Sequence, residues 1–291
     1  MLRLQSSFIS NAIYNMMNEN TKHIISFLAN KYGFDKDEAY NSFMYQLPKK
    51  KIQTEDTGKQ FEMAICLAYG IDYNGTYKYG MEEPEKLKKR LTPLIEQQLF
   101  PICKHTANKG ARYDFTSLDD ESTHLSAKST KKGCGMVAPQ VIGQPNPQKF
   151  CDIIGLTFSN IENLKADIQL RINTILPFLV NYTFDCPTLF YNKDKNTIRF
   201  IKMIESIVWD KYTFMWSCYA NADVANKLCD TTKNRNKIWN NSSRLKIKNG
   251  DKLFDLLEFQ FHTKSRQNMA IRWFYENVIT IFKDNFTIVH L

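Results

Sequence analysis

Asp114, Ser126 and Lys128 are the residues of this chain whose types and spacing suit chemistry most directly. They lie within Ala111 to Thr130, ARYDFTSLDDESTHLSAKST, which reads as two short strands folded on each other. Tyr113, Phe115 and Leu118 give the first run its β character, and Leu125, Ala127 and the flanking threonines give it to the second. Asp119, Asp120, Glu121 and Ser122 form a polar turn between them. Side chains alternate along a strand, so Ser126 and Lys128 share a face. A loop of three or five residues sets Asp114 opposite Ser126 or Lys128 on that face, whereas a four-residue loop turns it away. An acid, a hydroxyl and a lysine gathered in this way suit a metal-dependent phosphodiesterase. Hydrolysis of a phosphodiester needs charge neutralised on its oxygens and an activated water. The Asp114 carboxylate would anchor Mg²⁺, a hard cation that prefers oxygen ligands. Lys128 would orient the attacking water and help deprotonate it. Ser126 is too weak a ligand to replace a carboxylate and is assigned a hydrogen bond to the ion's water. Gln140 and Gln144 follow closely, with the reach to read bases or position the cleaved strand; plain surface placement is the alternative.

The arrangement D-x11-S-x-K resembles the PD-(D/E)xK nuclease superfamily, in the variant where Ser replaces the second acid. The following KSTKKGCGMVAPQVIGQP is similar to the strand and glutamine-rich segment after the lysine in some type II restriction endonucleases. Upstream, GKQFEMAICLAYG at 58–70 resembles the superfamily's first helix, G-x-x-[FL]-E, whose glutamate often points into the active site; here it is Glu62. Near the end, Glu258, Gln260, His262, Arg266, Arg272 and Trp273 are similar to the E-F-Q-x-H…R…[KR]-[FW] ending of some restriction enzymes. The resemblance implies an α/β fold with a mixed central sheet flanked by helices, Mg²⁺-dependent site-specific cleavage of double-stranded DNA, and a homodimer. It implies Asp114, Glu62 and the main-chain carbonyl of Ala127 as metal ligands. It also implies that His262, Arg266 and Arg272 face DNA, with a structural histidine the alternative at 262; Lys131, Lys132, Gln140, Gln144, Lys233, Arg235 and Arg244 are further expected contacts by their charge and reach. Two departures stand out: Tyr113 rather than Pro precedes the aspartate, and Ser126 leaves the metal cluster one acid short, which Glu62 would have to supply.

Around the hairpin, the sequence predicts the elements that hold it. Residues 6–47 read as helical, with Gly33 as a stop and Asp35 as the N-cap of a second helix over Lys36 to Tyr45. FLANKYGFDKDEAYNSF within this stretch is similar to short helical modules at the front of proteins from large DNA viruses. Residues 1–50 are therefore read as a helical accessory module, joined through KKKIQTEDTG to an endonuclease domain over 51–291. A helix over 58–69 puts Phe61, Ile65 and Ala68 on one face, flanked by Glu62. Another, Glu83 to Phe100, carries Lys86, Lys88, Lys89 and Arg90, either a solvated face or a phosphate contact. Pro139, Pro145 and Pro147 forbid a regular central strand after Val141. Residues 149–182 read as helix with one break. TLFYNKDKNTIRFIKMI predicts a hairpin turning at Asn192–Asn196, and LLEFQFHTKSRQNMAIRWFYENVI another strand pair. TTKNRNKIWNNSSRLKIKNG has no acid and reads as a solvated loop or a groove-contacting segment. The span 186–291 is thus the expected DNA-recognition part.

Composition narrows the alternatives. The 291 residues are long enough for a large core, and 39 basic against 30 acidic residues give a net +9 that favours a polyanionic partner. Seven cysteines at 66, 103, 134, 151, 186, 218 and 229 include no CxxC pair. They read as reduced thiols in an intracellular, cytoplasmic protein rather than a disulfide frame or zinc ribbon. No apolar run approaches a membrane span, and the first residues lack a signal cleavage site. There is no GxxxxGK[ST], HExxH or GxSxG; Gly133-x-Gly135 lacks a third glycine, and Tyr69-Gly70-Ile71 lacks the partner triplet of another nuclease type. Two rivals remain: a nuclease that recognises DNA structure rather than sequence, and a non-catalytic nucleic-acid-binding protein on a decayed nuclease core.

Overall fold

In the computed structural model the described residues are Lys22, His23 and Ser26, then 54–108, 111–217, 242–262 and 268–291. Contacts divide the chain into Met1–Gln53 and Thr54–Leu291. Lys22, His23 and Ser26 are helical; the rest of the helices expected before residue 50 lie outside the described residues, as do Lys233, Arg235 and Arg266.

Helix α1 (Thr54–Tyr69) buries Phe61, Ala64 and Ile65, the i, i+3, i+4 face that the sequence pattern marks. The expected helix over 83–100 is instead two, α2 (Glu82–Arg90) and α3 (Thr92–Glu96). Pro93 explains the break, since it has no N–H to give to the preceding turn and its ring crowds that turn. The basic cluster of α2 is partly engaged: Lys86 pairs with Glu82 at 2.7 Å, and Arg90 donates to Asn196 Oδ1 at 2.8 Å.

Strands β1 (Cys103–His105), β2 (Phe115–Ser117) and β3 (His124–Thr130) come next, followed by the short β4 (Met136–Val137). Helices α4 (Pro147–Ile154), α5 (Ile161–Leu170) and α6 (Ile172–Thr183) lead to β5 (Thr188–Asn192) and β6 (Thr197–Met203). Beyond them lie β7 (Thr213–Ser217), β8 (Ser242–Asn249), β9 (Lys252–Phe261), β10 (Met269–Phe274), helix α7 (Tyr275–Ile281) and β11 (Phe286–His290).

These strands form the expected mixed sheet flanked by helices and, in addition, a second sheet. The first is mixed, in the order β1-β2-β3-β5-β6-β11, with β3 and β5 parallel and the other pairs antiparallel. The second is antiparallel, in the order β4-β10-β9-β8-β7. Alternation gives the first sheet two apolar faces. Leu125, Leu189, Tyr191, Ile198 and Phe200 pack in one core with α1 to α3, while Phe190 and Ile201 join α4 to α7 and the second sheet in another.

Tertiary context overrides the sequence pattern elsewhere. Residues 242–249 are a strand, not a loop, with Leu245 and Ile247 fully buried. The expected strand after Trp273 becomes helix at Tyr275, where the Tyr275 N–H reaches the Gly135 carbonyl at 3.0 Å. Gly135 has φ of +72°, and a Cβ there would lie 2.9 Å from the Glu276 backbone nitrogen, so only glycine permits the approach. β5 and β6, grouped by sequence with the recognition part, belong to the hairpin's own sheet.

Glu276 pins α7 to that sheet. Its carboxylate accepts from Asn192 Nδ2 at 2.9 Å, Lys195 Nζ at 2.9 Å and Arg199 Nη2 at 3.2 Å. Burial works against its charge, but these donors outweigh burial and hold the carboxyl below its ordinary 4.5. A carboxyl depressed in the folded state stabilises above its ordinary value and stops doing so as pH falls through the folded one. Glu276→Ala is expected to lower unfolding stability by about 3 kcal/mol, the low end for breaking a buried pair, because half-exposed Lys195 can rehydrate. Urea denaturation checks this, and the gap between wild type and variant should close as the pH drops below 4.5.

Candidate active site

Phe115 pairs with Leu125 and Thr116 with His124, and the Ser117 N–H meets the Thr123 carbonyl at 2.9 Å. The loop therefore holds five residues, one of the two lengths that face Asp114 towards Ser126. β2 stops at Phe115, and Asp114 takes over from the strand with its side chain. Its Oδ2 accepts the Ala127 backbone N–H at 2.7 Å, the Ser126 hydroxyl at 3.3 Å and Lys128 Nζ at 3.3 Å. Its Oδ1 accepts Gln140 Nε2 at 2.6 Å. Lys128 Nζ also donates to the Ala127 carbonyl at 3.2 Å.

Asp114, Ser126 and Lys128 are all buried, at 4%, 4% and 8% exposure. At 3.3 Å and an effective dielectric of about 20, the Lys128–Asp114 attraction is on the order of 5 kcal/mol. Withdrawing two ions from water costs several kcal/mol each. The pair therefore adds little to stability.

Glu62 is not brought to this cluster. His105 pairs with Phe115 across β1 and β2, and their rings lie 4.9 Å apart on the α1 side of the sheet. Glu62 joins them there, with Lys59 Nζ at 2.9 Å, the Tyr73 hydroxyl at 3.4 Å and His105 Nε2 at 3.4 Å. His105 Nδ1 accepts the Asn74 N–H at 2.9 Å, which leaves the proton on Nε2, facing the acid. Burial pushes the Glu62 carboxyl up, but His105 and Lys59 more than reverse this and hold it below 4.5.

Of the expected DNA contacts, Lys132 and Gln144 are exposed, Lys131 and His262 are half-buried, and Gln140 is turned to Asp114. Arg244 and Arg272 stand on one face of the second sheet and share one buried acid. Glu258 receives Arg244 Nε at 3.3 Å and Arg272 Nη1 at 2.8 Å, while Arg244 also meets Asp255 at 2.9 Å and Arg272 meets Gln260 Oε1 at 2.7 Å.

Sequence reasoning missed Asp185. It accepts the Tyr113 hydroxyl at 2.6 Å and Arg112 Nη2 at 2.7 Å, and the Arg112 guanidinium lies 3.8 Å from the Tyr182 ring centre. With Ser126, Lys128 and Gln140 these groups line one small cleft. Cys186 opens there too, its thiol pushed up to about 12, first by burial and then by Asp185. No local signal marks these residues; they arrive because β5 runs parallel to β3, with Thr188 beside Ser126.

Among the described residues no three His, Cys, Asp or Glu side chains converge to hold a metal. The donors present at the site are Asp114 oxygens, the Ala127 carbonyl and the Gln140 amide, all of the hard, oxygen-bearing kind that Mg²⁺ takes. The described cysteines 66, 103, 134, 151 and 186 are free thiols, and no described helix is long and apolar enough to cross a membrane.

Glu62→Ala is expected to cost about 1–3 kcal/mol of stability, because it removes the acceptor of Lys59 Nζ and the Tyr73 hydroxyl and the acid 3.4 Å from the buried His105 Nε2. Chemical denaturation measures it, and an unchanged midpoint would mean that the cluster contributes nothing.

No family model matches the chain, and no solved structure is similar to it. The chain is 38% identical over 241 residues to the type II restriction enzyme CviAII of Paramecium bursaria Chlorella virus 1. That match covers 82% of this chain and 64% of the relative, so the chain spans just under two thirds of the relative's length.

Proposed function

We propose that this chain is a site-specific endonuclease that hydrolyses phosphodiester bonds of double-stranded DNA with the help of Mg²⁺, in the manner of a type II restriction enzyme and of the PD-(D/E)xK superfamily. The observation that carries this reading is the buried Asp114–Ser126–Lys128 constellation at the end of β2, found in a chain similar to a restriction enzyme. The +9 charge suits a polyanionic substrate, and the viral relative suits a viral source.

Asp114 and the Ala127 carbonyl would hold the cation. When bound, the ion would neutralise charge on the scissile phosphate and acidify a water. The chain's own part is positioning. Lys128, fixed from two sides by Asp114 and the Ala127 carbonyl, would hold the attacking water in line and offset charge growing on the phosphoryl oxygens. Ser126 helps fix the carboxylate. Burial of all three limits competing solvent. Two strands must be cut, and a two-fold dimer presents one such site to each. Ser126, standing where the resemblance expects a second acid, favours the second reading, a DNA-binding protein that no longer cuts.

The test is incubation of phage DNA with Mg²⁺ and sequencing of the fragment ends. Discrete cut sites support the proposal; intact DNA that is nonetheless bound supports the second reading. Asp114→Ala should abolish cleavage and leave binding measurable. Lys128→Met should slow single-turnover cleavage by about 10²-fold or more.

Arg244 and Arg272 are proposed to read base edges from that face of the second sheet, with Glu258 holding both in place. Arg272→Ala should reduce discrimination against single mismatches by about 1–3 kcal/mol. Lys132→Ala should instead weaken binding to every duplex and lower the salt slope by about one. Competition binding at two salt concentrations separates these outcomes, and uniform loss in both variants would remove Arg272 from base reading.

A further inference from the structure

Gln140 occupies a place that its expected role as a base reader does not explain. Its amide nitrogen lies 2.6 Å from Asp114 Oδ1, the shortest of the four donor contacts to that carboxylate. The backbone has been bent to put it there. Val141, a β-branched residue, adopts φ of +56°, and the Ile142 N–H closes onto the Gln140 carbonyl at 2.5 Å. This is a γ-turn of the rare positive-φ form, and a β-branched residue tolerates such a conformation only where its surroundings force it. The surroundings do so here. The Gly143 carbonyl accepts the Ile271 N–H and the Pro145 carbonyl the Met269 N–H, each at 2.9 Å, so the strap is fastened along β10. Ile142 is fully buried, and a Cβ on Gly143 would overlap the Pro139 carbonyl oxygen. Strain held this firmly next to a buried carboxylate marks a functional position rather than a loose loop.

Among the described residues no three acids, histidines or cysteines gather at the site. Ser126 stands where a second acid would be expected, Glu62 is committed to Lys59, His105 and Tyr73 on the other face of the sheet, and Asp185, which lines the cleft, is engaged by the Tyr113 hydroxyl and Arg112. We propose that Gln140 completes the divalent-cation site through its amide oxygen, beside Asp114 and the Ala127 carbonyl. In the structure the amide turns its nitrogen to the carboxylate. A half-turn about the terminal torsion, which is broad for an amide, presents the oxygen instead. Neutral amide and carbonyl oxygens are ordinary ligands for hard cations. The inference rests on the nuclease reading and deepens it.

The test is a calorimetric Mn²⁺ titration of the full chain without DNA, run beside plasmid cleavage and beside duplex binding in EDTA. Gln140→Ala should weaken Mn²⁺ binding by about tenfold or more, the scale set by groups around a metal. Gln140→Glu should restore or tighten it, which a merely folding-defective site would not do. Glu62→Gln should bind Mn²⁺ as wild type does, and duplex binding in EDTA should not change in any of the Gln140 variants. Unaltered Mn²⁺ binding in Gln140→Ala, or its loss in Glu62→Gln, overturns the assignment, as does wild type that cuts DNA but takes up no Mn²⁺ alone. Wild type that neither binds Mn²⁺ nor cuts DNA overturns the nuclease reading itself.

Discussion

The carboxylate of Asp114 stands where β2 stops pairing with β3, and it replaces the missing strand by accepting the Ala127 N–H. One side chain thereby ends a strand, satisfies a buried backbone donor and gathers Ser126, Lys128 and Gln140 around a negative charge. Everything else in the site depends on that fork. The five-residue loop sets the register that points Asp114 the right way, and the parallel partner β5 presses Asp185 and Cys186 against the open side. A one-residue slip of the hairpin would send the acid into the α1 core, where nothing could solvate it.

The two sheets divide the work. The mixed sheet is buried on both sides, so Leu189, Phe190, Tyr191, Ile198, Phe200 and Ile201 on β5 and β6 all lie in a core, and the buried Arg199 is paired with Glu276. The antiparallel sheet has unlike sides. Leu245, Leu257, Phe259, Ile271 and Trp273 face the core, and Arg244, Glu258, Gln260 and Arg272 share the other side with the buried Ala270 and Phe274. That side carries cross-strand charge pairs centred on the buried Glu258, which holds both arginines in place because leaving it unpaired would strand a buried charge. The strap from Pro139 to Pro145 is bound to β10 by its backbone and to Asp114 by Gln140, and it joins the two sheets physically.

The Glu62 cluster shows how a correct helix can lead to a different role for one of its residues. The apolar face of α1 follows from spacing, and Glu62 borders that face whichever side of the sheet the helix covers. Which strand face receives it depends on the pleat of β1, β2 and β3. Phe115, Leu125 and Ala127 point to α1, so their neighbours Asp114, Ser126 and Lys128 point away.

Much of this was written in local pattern. The hairpin of Asp114 and Lys128, the helix carrying Glu62, the break among the prolines at 139–147 and the turn at Asn192–Asn196 all follow from alternation, helical spacing or the chemistry of Pro and Asn, which act over a few residues. What needed the tertiary structure were relations across long separations. Residues 242–249 look polar enough for a loop, yet Ser243, Leu245 and Ile247 are sealed against the core. Tyr275 leaves a strand for a helix because Gly135, far back in the chain, offers its carbonyl. Asp185 meets Arg112 and Tyr113 through a parallel pairing that no local rule specifies. The sequence by itself determined which groups could do chemistry, since residue type and short-range periodicity are local properties. The tertiary structure alone decided which of those groups meet, because strand order and sheet face depend on the whole buried surface.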